Sequence, residues 1–267
     1  MSLKSGVSSS FSSRISVFFL ISGILAILFS ISTESQIFAL IGLGLVFWGA
    51  LFYLMKPEKL VEASLLYNTS MNTYLTTDRI INDLNYEGNG YYIPPYPQDV
   101  YLPEYLKGLK ASVVFVSAKN DSEMPSIEEM AKGKFLSKNK KGVLLTPPGS
   151  GILTQIEDKS KVDFSKMDLD DLCDVLPTFI MQDLNLAKEL TMNLEGDQVH
   201  LAMFDSLYKN FYSPNSNLKS VSFLGCPIAS AIASAISKAS GKPVIIQKQE
   251  LSPDDLAVNV WFQVLQG

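Results

Sequence analysis

This sequence is poor in the residues that most enzyme chemistry needs. Its 267 residues include two cysteines, Cys173 and Cys226, and one histidine, His200. Two thiols without a CxxC pair exclude a disulfide framework, and a chain of this length does not need a bridge to fold, so reduced thiols are expected. A single histidine without an adjacent cysteine or carboxylate cluster does not make a zinc site, and neither metal nor cofactor is expected. Charge is scarce as well, at 18% of residues against 47% apolar. That scarcity is local: the first 55 residues carry only Lys4, Arg14 and Glu34. Of the 22 basic and 27 acidic residues, 20 and 26 therefore lie beyond position 55, a net charge of −6 for that part. A mildly acidic domain argues against nucleic acid as partner, because phosphates require clustered Lys and Arg. The one dense basic run, Lys132, Lys134, Lys138, Lys140 and Lys141, reads as a solvated loop.

What fills the charge-poor region is length without polarity. Residues 15–32 (ISVFFLISGILAILFSIS) and 37–55 (IFALIGLGLVFWGALFYLM) hold no charged group. At a helical rise these runs measure about 27 and 28 Å, close to the hydrocarbon thickness of a bilayer. A cleaved signal peptide is a poor alternative, since the first run exceeds an h-region and a second follows at once. Only Thr33, Glu34, Ser35 and Gln36 connect them, so the two spans form an antiparallel hairpin. Small residues let backbones approach where lipid supplies no hydrophobic drive, and Ser22, Ala26 and Ser30 on the first span and Ala39, Gly42, Val46 and Gly49 on the second are the expected packing stripes. Lys4, Arg14, Lys56 and Lys59 flank the pair while the connecting loop has no Lys or Arg, so both ends prefer the cytoplasm.

The predicted organisation is a cytoplasmic tail (1–14), a transmembrane hairpin (15–55), a juxtamembrane helix (56–86) carrying Leu60, Tyr67, Met71 and Tyr74 at helical spacing, and a soluble α+β domain (87–267). Residues 91–97 (YYIPPYP) are extended and aromatic; 111–118 and 142–146 read as strands. Residues 168–180 form an amphipathic helix, and 187–194 with 198–204 form a hairpin about Glu195-Gly-Asp197. A strand-like run at 221–224 leads to Gly225-Cys226-Pro227, where Pro227 opens a helix that Gly241 and Pro243 end. Strands at 244–249 and 258–265 follow. The span 168–267 thus shows an αββ order twice, which suggests an antiparallel sheet and a structural duplication.

The two-span hairpin, the series Gly90-Tyr-Tyr-Ile-Pro-Pro95 then 113–117 then 143–149, and the tail 225–242 running into Pro243-Val244 together resemble a group of archaeal membrane proteins known from haloarchaea and methanogens. That resemblance covers most of the chain by layout. It implies an archaeal membrane-anchored protein with no established activity, and therefore no catalytic residues to carry over.

Two features invite chemistry. Cys226 stands immediately before Pro227 at a helix start, where the dipole lowers a thiol pKa, although a small buried residue at a tight junction explains it as well. The loop at 147–151 (Pro-Pro-Gly-Ser-Gly) offers Gly149, Ser150 and Gly151 as an anion cradle, without the Lys-Ser/Thr of a P-loop. His200 and the carboxylates around Asp168 and Asp174 read as structural and capping groups. No residue is assigned a catalytic role. The expectation is a non-enzymatic interaction or scaffold protein tethered in the cell membrane, an accessory subunit whose partners are the bilayer and other membrane proteins or a second copy. The alternative is a small-ligand or redox sensor using the 147–151 loop or Cys226.

Overall fold

The computed structural model describes residues 7–54, 63–96, 110–119, 124–132, 134–137, 141–213, 216 and 218–266. The tail up to residue 6, residues 55–62 of the hairpin end and juxtamembrane stretch, Pro97, Lys138 and Lys140 lie outside these residues. The chain divides into two compact units, 1–61 and 62–267.

The first unit is a pair of helices, α1 (Val7–Thr33) and α2 (Gln36–Leu54), turned at Glu34, which takes a left-handed φ of 49°. Both contain an 18-residue stretch long and apolar enough to cross a membrane. Ser22 and Thr33 satisfy their hydroxyls within α1, Ser22 donating to the Phe18 carbonyl at 2.7 Å and Thr33 to that of Phe29 at 2.9 Å. The helices meet through glycine. A Cβ on Gly23 would stand 2.7 Å from Val46 Cγ2, one on Gly42 2.6 Å from Ile27 Cγ1, and one on Gly49 2.9 Å from Leu20 Cγ. This corrects part of the expected stripes. Ser30, Gly42 and Gly49 are buried, but Ser22 and Ala26 are only half-buried flanks and Ala39 is exposed. The reason is geometric: at 3.6 residues per turn, a strict four-residue repeat rotates about 40° per step away from a partner. Ser16, Gly23 and Ser30, seven apart, stay on the contact line, as do Gly42 and Gly49.

The second unit begins with α3 (Ala63–Leu84), followed by β1 (Gly90–Ile93), β2 (Val113–Ser117), α4 (Ile127–Ala131), β3 (Gly142–Leu145) and α5 (Ser150–Ser160). Then come α6 (Leu169–Thr178), extended by a π-helical turn over Phe179–Asp183, the hairpin β4 (Glu189–Glu195) and β5 (Gln198–Phe204), α7 (Lys219–Leu224), α8 (Pro227–Ser240), β6 (Val244–Leu251) and β7 (Ala257–Val264). The strands form one seven-stranded sheet in the order β3-β2-β1-β6-β7-β5-β4, and every neighbouring pair is antiparallel. The unit is therefore α+β, with the expected antiparallel sheet. Gly196, at φ +63°, makes the tight β4–β5 turn.

Strand alternation sorts the sheet into two faces. Val199, Leu201 and Met203 on β5 stand opposite Phe262, Val260 and Val258 on β7, all fully buried, and Leu190 and Met192 on β4 continue this face. Helix α8 lies on it, against β1, β6 and β7, with α5 and α6 packed on α8 in turn. Every residue from Pro227 to Lys238 is buried. Such a helix must be narrow, and its Ala and Ser content supplies that. Its few polar groups are paired: Ser237 Oγ donates to the Tyr92 carbonyl at 2.9 Å, and Lys238 Nζ meets Glu157 at 2.5 Å and Asp163 at 3.4 Å.

Two local expectations change, and one strand shows an irregularity. Residues 219–224 are helical, not extended, because Asp78 on α3 accepts the Lys219 and Ser220 N–H groups at 3.0 and 2.7 Å and so caps α7 from 141 residues away. The 147–151 loop ends inside a helix, α5, which begins at Ser150. In β6 the register shifts between Ile246 and Lys248, leaving Gln247 as the additional residue of a bulge.

The uncovered sheet face as candidate functional site

Side chains of the opposite phase form the second face, which over β4, β5, β7 and the end of β6 is exposed or half-buried within the described second unit. Its centre is a row set by register: Asn193 on β4, His200 on β5, Trp261 on β7 and Lys248 on β6. The His200 and Trp261 rings stack with centroids 4.8 Å apart and planes 23° apart. Lys248 Nζ sits 5.1 Å from the Trp261 centroid on the strand beyond and pairs with Glu250 at 2.6 Å. His200 Nε2 lies 3.1 Å from Asn259 Oδ1, which holds the imidazole in plane. One row along, Gln247 bridges Gln198 and Gln263 at 3.4 and 3.2 Å. Phe204 and Leu256 are exposed beside this patch, at 41% and 52%. A flat platform with an aromatic centre, mixed charge and amide groups suits contact with another protein surface. It offers no nucleophile–base pair and no enclosed volume in which to isolate a reacting bond.

Trp261 was the residue to find in the sequence. On β7 the inward phase is Val258, Val260, Phe262 and Val264, so a tryptophan in the polar phase, between Asn259 and Gln263, is out of place for a core residue. His200 marks the same face one strand over.

The other candidates are spent on packing. Cys226 is fully buried at the junction of α7 and α8, where its Sγ accepts the Ala229 N–H at 3.5 Å as the cap of α8 and its N–H donates to Tyr212 Oη at 2.9 Å. Burial pushes the thiol above its ordinary value and outweighs the Ala229 and Tyr212 bonds that pull it down. The helix-start field is thus overcome by desolvation. Neighbouring carbonyls are satisfied by tyrosines, Tyr74 Oη donating to Gly225 at 2.7 Å and Tyr92 Oη to Leu224 at 2.6 Å. Cys173 is buried on α6, and burial, with Asp170 and Asp174 alongside, pushes it up to about 11.

Gly149, Ser150 and Gly151 do not form an open cradle. Gly149 is pressed onto the first turn of α8, where a Cβ would stand 2.1 Å from the Ala231 nitrogen, and its N–H donates to Ser230 Oγ at 3.0 Å. The Ser150 N–H bonds the Pro147 carbonyl at 3.0 Å, while Gly151 faces solvent. Among the described residues no three His, Cys, Asp or Glu side chains group as metal ligands.

A family model described as "Domain of unknown function (DUF7982)" matches residues 10–262. No curated protein and no solved structure matches the chain.

Proposed function

Given that the chain belongs to the DUF7982 family, we propose that it is a non-enzymatic membrane-tethered interaction protein, an accessory subunit that presents the uncovered sheet face of its second unit to a partner at the cytoplasmic surface of the cell membrane. The observation that carries this reading is the contrast between the units. In α1 and α2 the large apolar side chains point outward, Phe18 at 69%, Leu40 at 74% and Phe47 at 63% exposed, an arrangement with no stable home in water. The second unit instead buries a large apolar core and, among the described residues, presents the His200–Trp261 row on an open sheet face.

Lys4, Arg14, Lys56 and Lys59 around a loop without Lys or Arg support a two-pass topology with the sheet unit in the cytoplasm. The resemblance to archaeal membrane proteins is consistent with that location. The sensor alternative draws no support from Gly149 or Cys226, which are committed to the interior, and Ser150 and Gly151 open α5 without forming a cradle.

The test uses the full chain in its native membrane, with a photo-crosslinking residue at Asn259 on the platform or at the exposed Lys159 on α5. The expected result is a discrete adduct from position 259 alone, lost when Trp261→Ala and Lys248→Glu are added. Release of the full chain by alkaline carbonate, or the same adducts from both positions, would overturn the proposal.

A further inference from the structure

Away from the platform, a groove of about 470 Å³ runs between α3 and the segment after β5, within the range of small-ligand sites. One wall is an apolar stripe, Tyr67, Met71 and Leu75, four residues apart on α3, with Leu218 facing it. The wall is fixed: Tyr67 packs edge-on to Phe211 at 5.0 Å, and Phe211 packs on Tyr74 at 4.7 Å. The opposite side is polar, with Asn210, Ser213 and Ser216. The inner end is Asp78.

Two groups there are left short of partners. The Ser216 Oγ is buried and meets no hydrogen-bonding partner among the described residues. Asp78 is 8% exposed, and its two oxygens accept one backbone N–H each, from Lys219 and Ser220. A carboxylate has about four acceptor positions, so each oxygen retains one. Among the described ion pairs none involves Asp78, and among the described residues that line the groove it is the only charged one. The capping bonds supply helix-start partial charge but no full cation. A buried anion with spare acceptors, at the end of an apolar slot, is complementary to a donor-rich cation carrying an apolar body.

We propose that this groove is a binding site for a small organic ammonium ion. The ammonium group sits against Asp78 and Ser216, and its apolar body lies along Tyr67, Met71 and Leu75. This site is independent of the sheet platform and of any partner bound there.

The test is calorimetric titration of the full chain in lipid nanodiscs, with empty nanodiscs as the blank, using hexylamine, hexanol and hexanoate at neutral pH. Hexylammonium is expected to bind about tenfold more tightly than hexanol, with hexanoate weakest. Leu75→Arg places a cation at the groove mouth from a half-exposed helix position and abolishes hexylamine binding while leaving the melting curve unchanged. Asp78→Asn reduces hexylamine to the level of hexanol; if loss of the α7 cap prevents that variant from folding, Leu75→Arg carries the test. Equal binding of hexanoate and hexylamine, or wild-type hexylamine binding by Leu75→Arg, would refute the proposal.

Discussion

Three stretches of this chain are long and apolar enough to cross a bilayer, yet they are built on two opposite plans. In the hairpin, the apolar stretches of α1 and α2 are 17% and 11% buried; the third, Lys219–Ser240 across α7 and α8, is 89% buried. The difference lies in side-chain size and in breaks. α1 and α2 carry Phe, Leu and Ile outward and reserve Gly23, Gly42 and Gly49 for one seam. α8 is Ala and Ser on nearly every side, preceded by Gly225 at φ +64° and opened by Pro227, which stop α7 and α8 from being one continuous rod. An apolar helix that meets protein on all sides is limited by the space left to it. One that meets lipid is limited only at the seam.

The sharpest way to break this comparison is to enlarge both kinds of helix. Ala233→Leu in α8 is expected to destabilise the sheet unit by about 3 kcal/mol, since nothing around α8 can withdraw. Ala26→Leu in α1 should leave the same thermal melt unchanged. Equal sensitivity would abolish the distinction.

Next comes the buried cation. Lys238→Met leaves Glu157 and Asp163 facing one another without a counter-ion. Their partial exposure limits the expected loss to about 2 kcal/mol, measured by denaturant titration at neutral pH. The carboxyl of Asp163 is held below its ordinary value, first by the Ser165 hydroxyl and then by its backbone N–H and by Lys238. A depressed carboxylate stabilises above its unfolded pKa and loses that contribution as pH falls through the folded value. The wild-type advantage over Lys238→Met should therefore shrink on acidification below the ordinary carboxylate range, and an advantage constant with pH would argue against the ion network.

The seam of the hairpin is softer. Gly42→Leu should push α1 and α2 apart and lengthen the distance between spin labels at the exposed positions 25 and 43 in membranes, an effect of about 1–2 kcal/mol on helix association. Gly44→Leu, where a Cβ meets nothing within 4 Å, should not. The smallest effect concerns the α7–α8 junction. Tyr212→Phe removes the acceptor of the Cys226 N–H and should cost about 1 kcal/mol. In the intact protein neither Cys226 nor Cys173 should react with a thiol reagent at pH 8 before unfolding. Rapid labelling of Cys226 would restore it as a redox candidate.

Much of this architecture was legible because its signals are local. The uncharged runs gave the hairpin, Tyr67, Met71 and Tyr74 gave α3, and Gly196, Gly241 and Pro243 punctuated the C-terminal strands and α8. What was not legible depends on distant partners. Val221 and Phe223 favour a strand by propensity, and only the Asp78 carboxylate, supplied by α3, turns 219–224 into a helix. Cys226 is equally a reactive or an inert thiol until Tyr212 and the surrounding core are in place. The platform was half visible: His200 stood out as a lone histidine, but its stacking on Trp261 required the β5–β7 register.

The extra residue in β6 governs which way the rest of that strand faces. Had Gln247 paired with Trp261 in an unbroken ladder, Lys248 would fall opposite the buried Val260 and its ammonium would be forced among aliphatic groups. With Gln247 looped out, Lys248 reaches the solvent side beside the indole, and Gln249 turns inward to donate to the Val221 and Ser222 carbonyls at 2.8 and 2.9 Å. One inserted amino acid thus acts as a parity correction, reconciling an outward-facing cation and an inward-facing amide that sit next to each other in the gene's reading order.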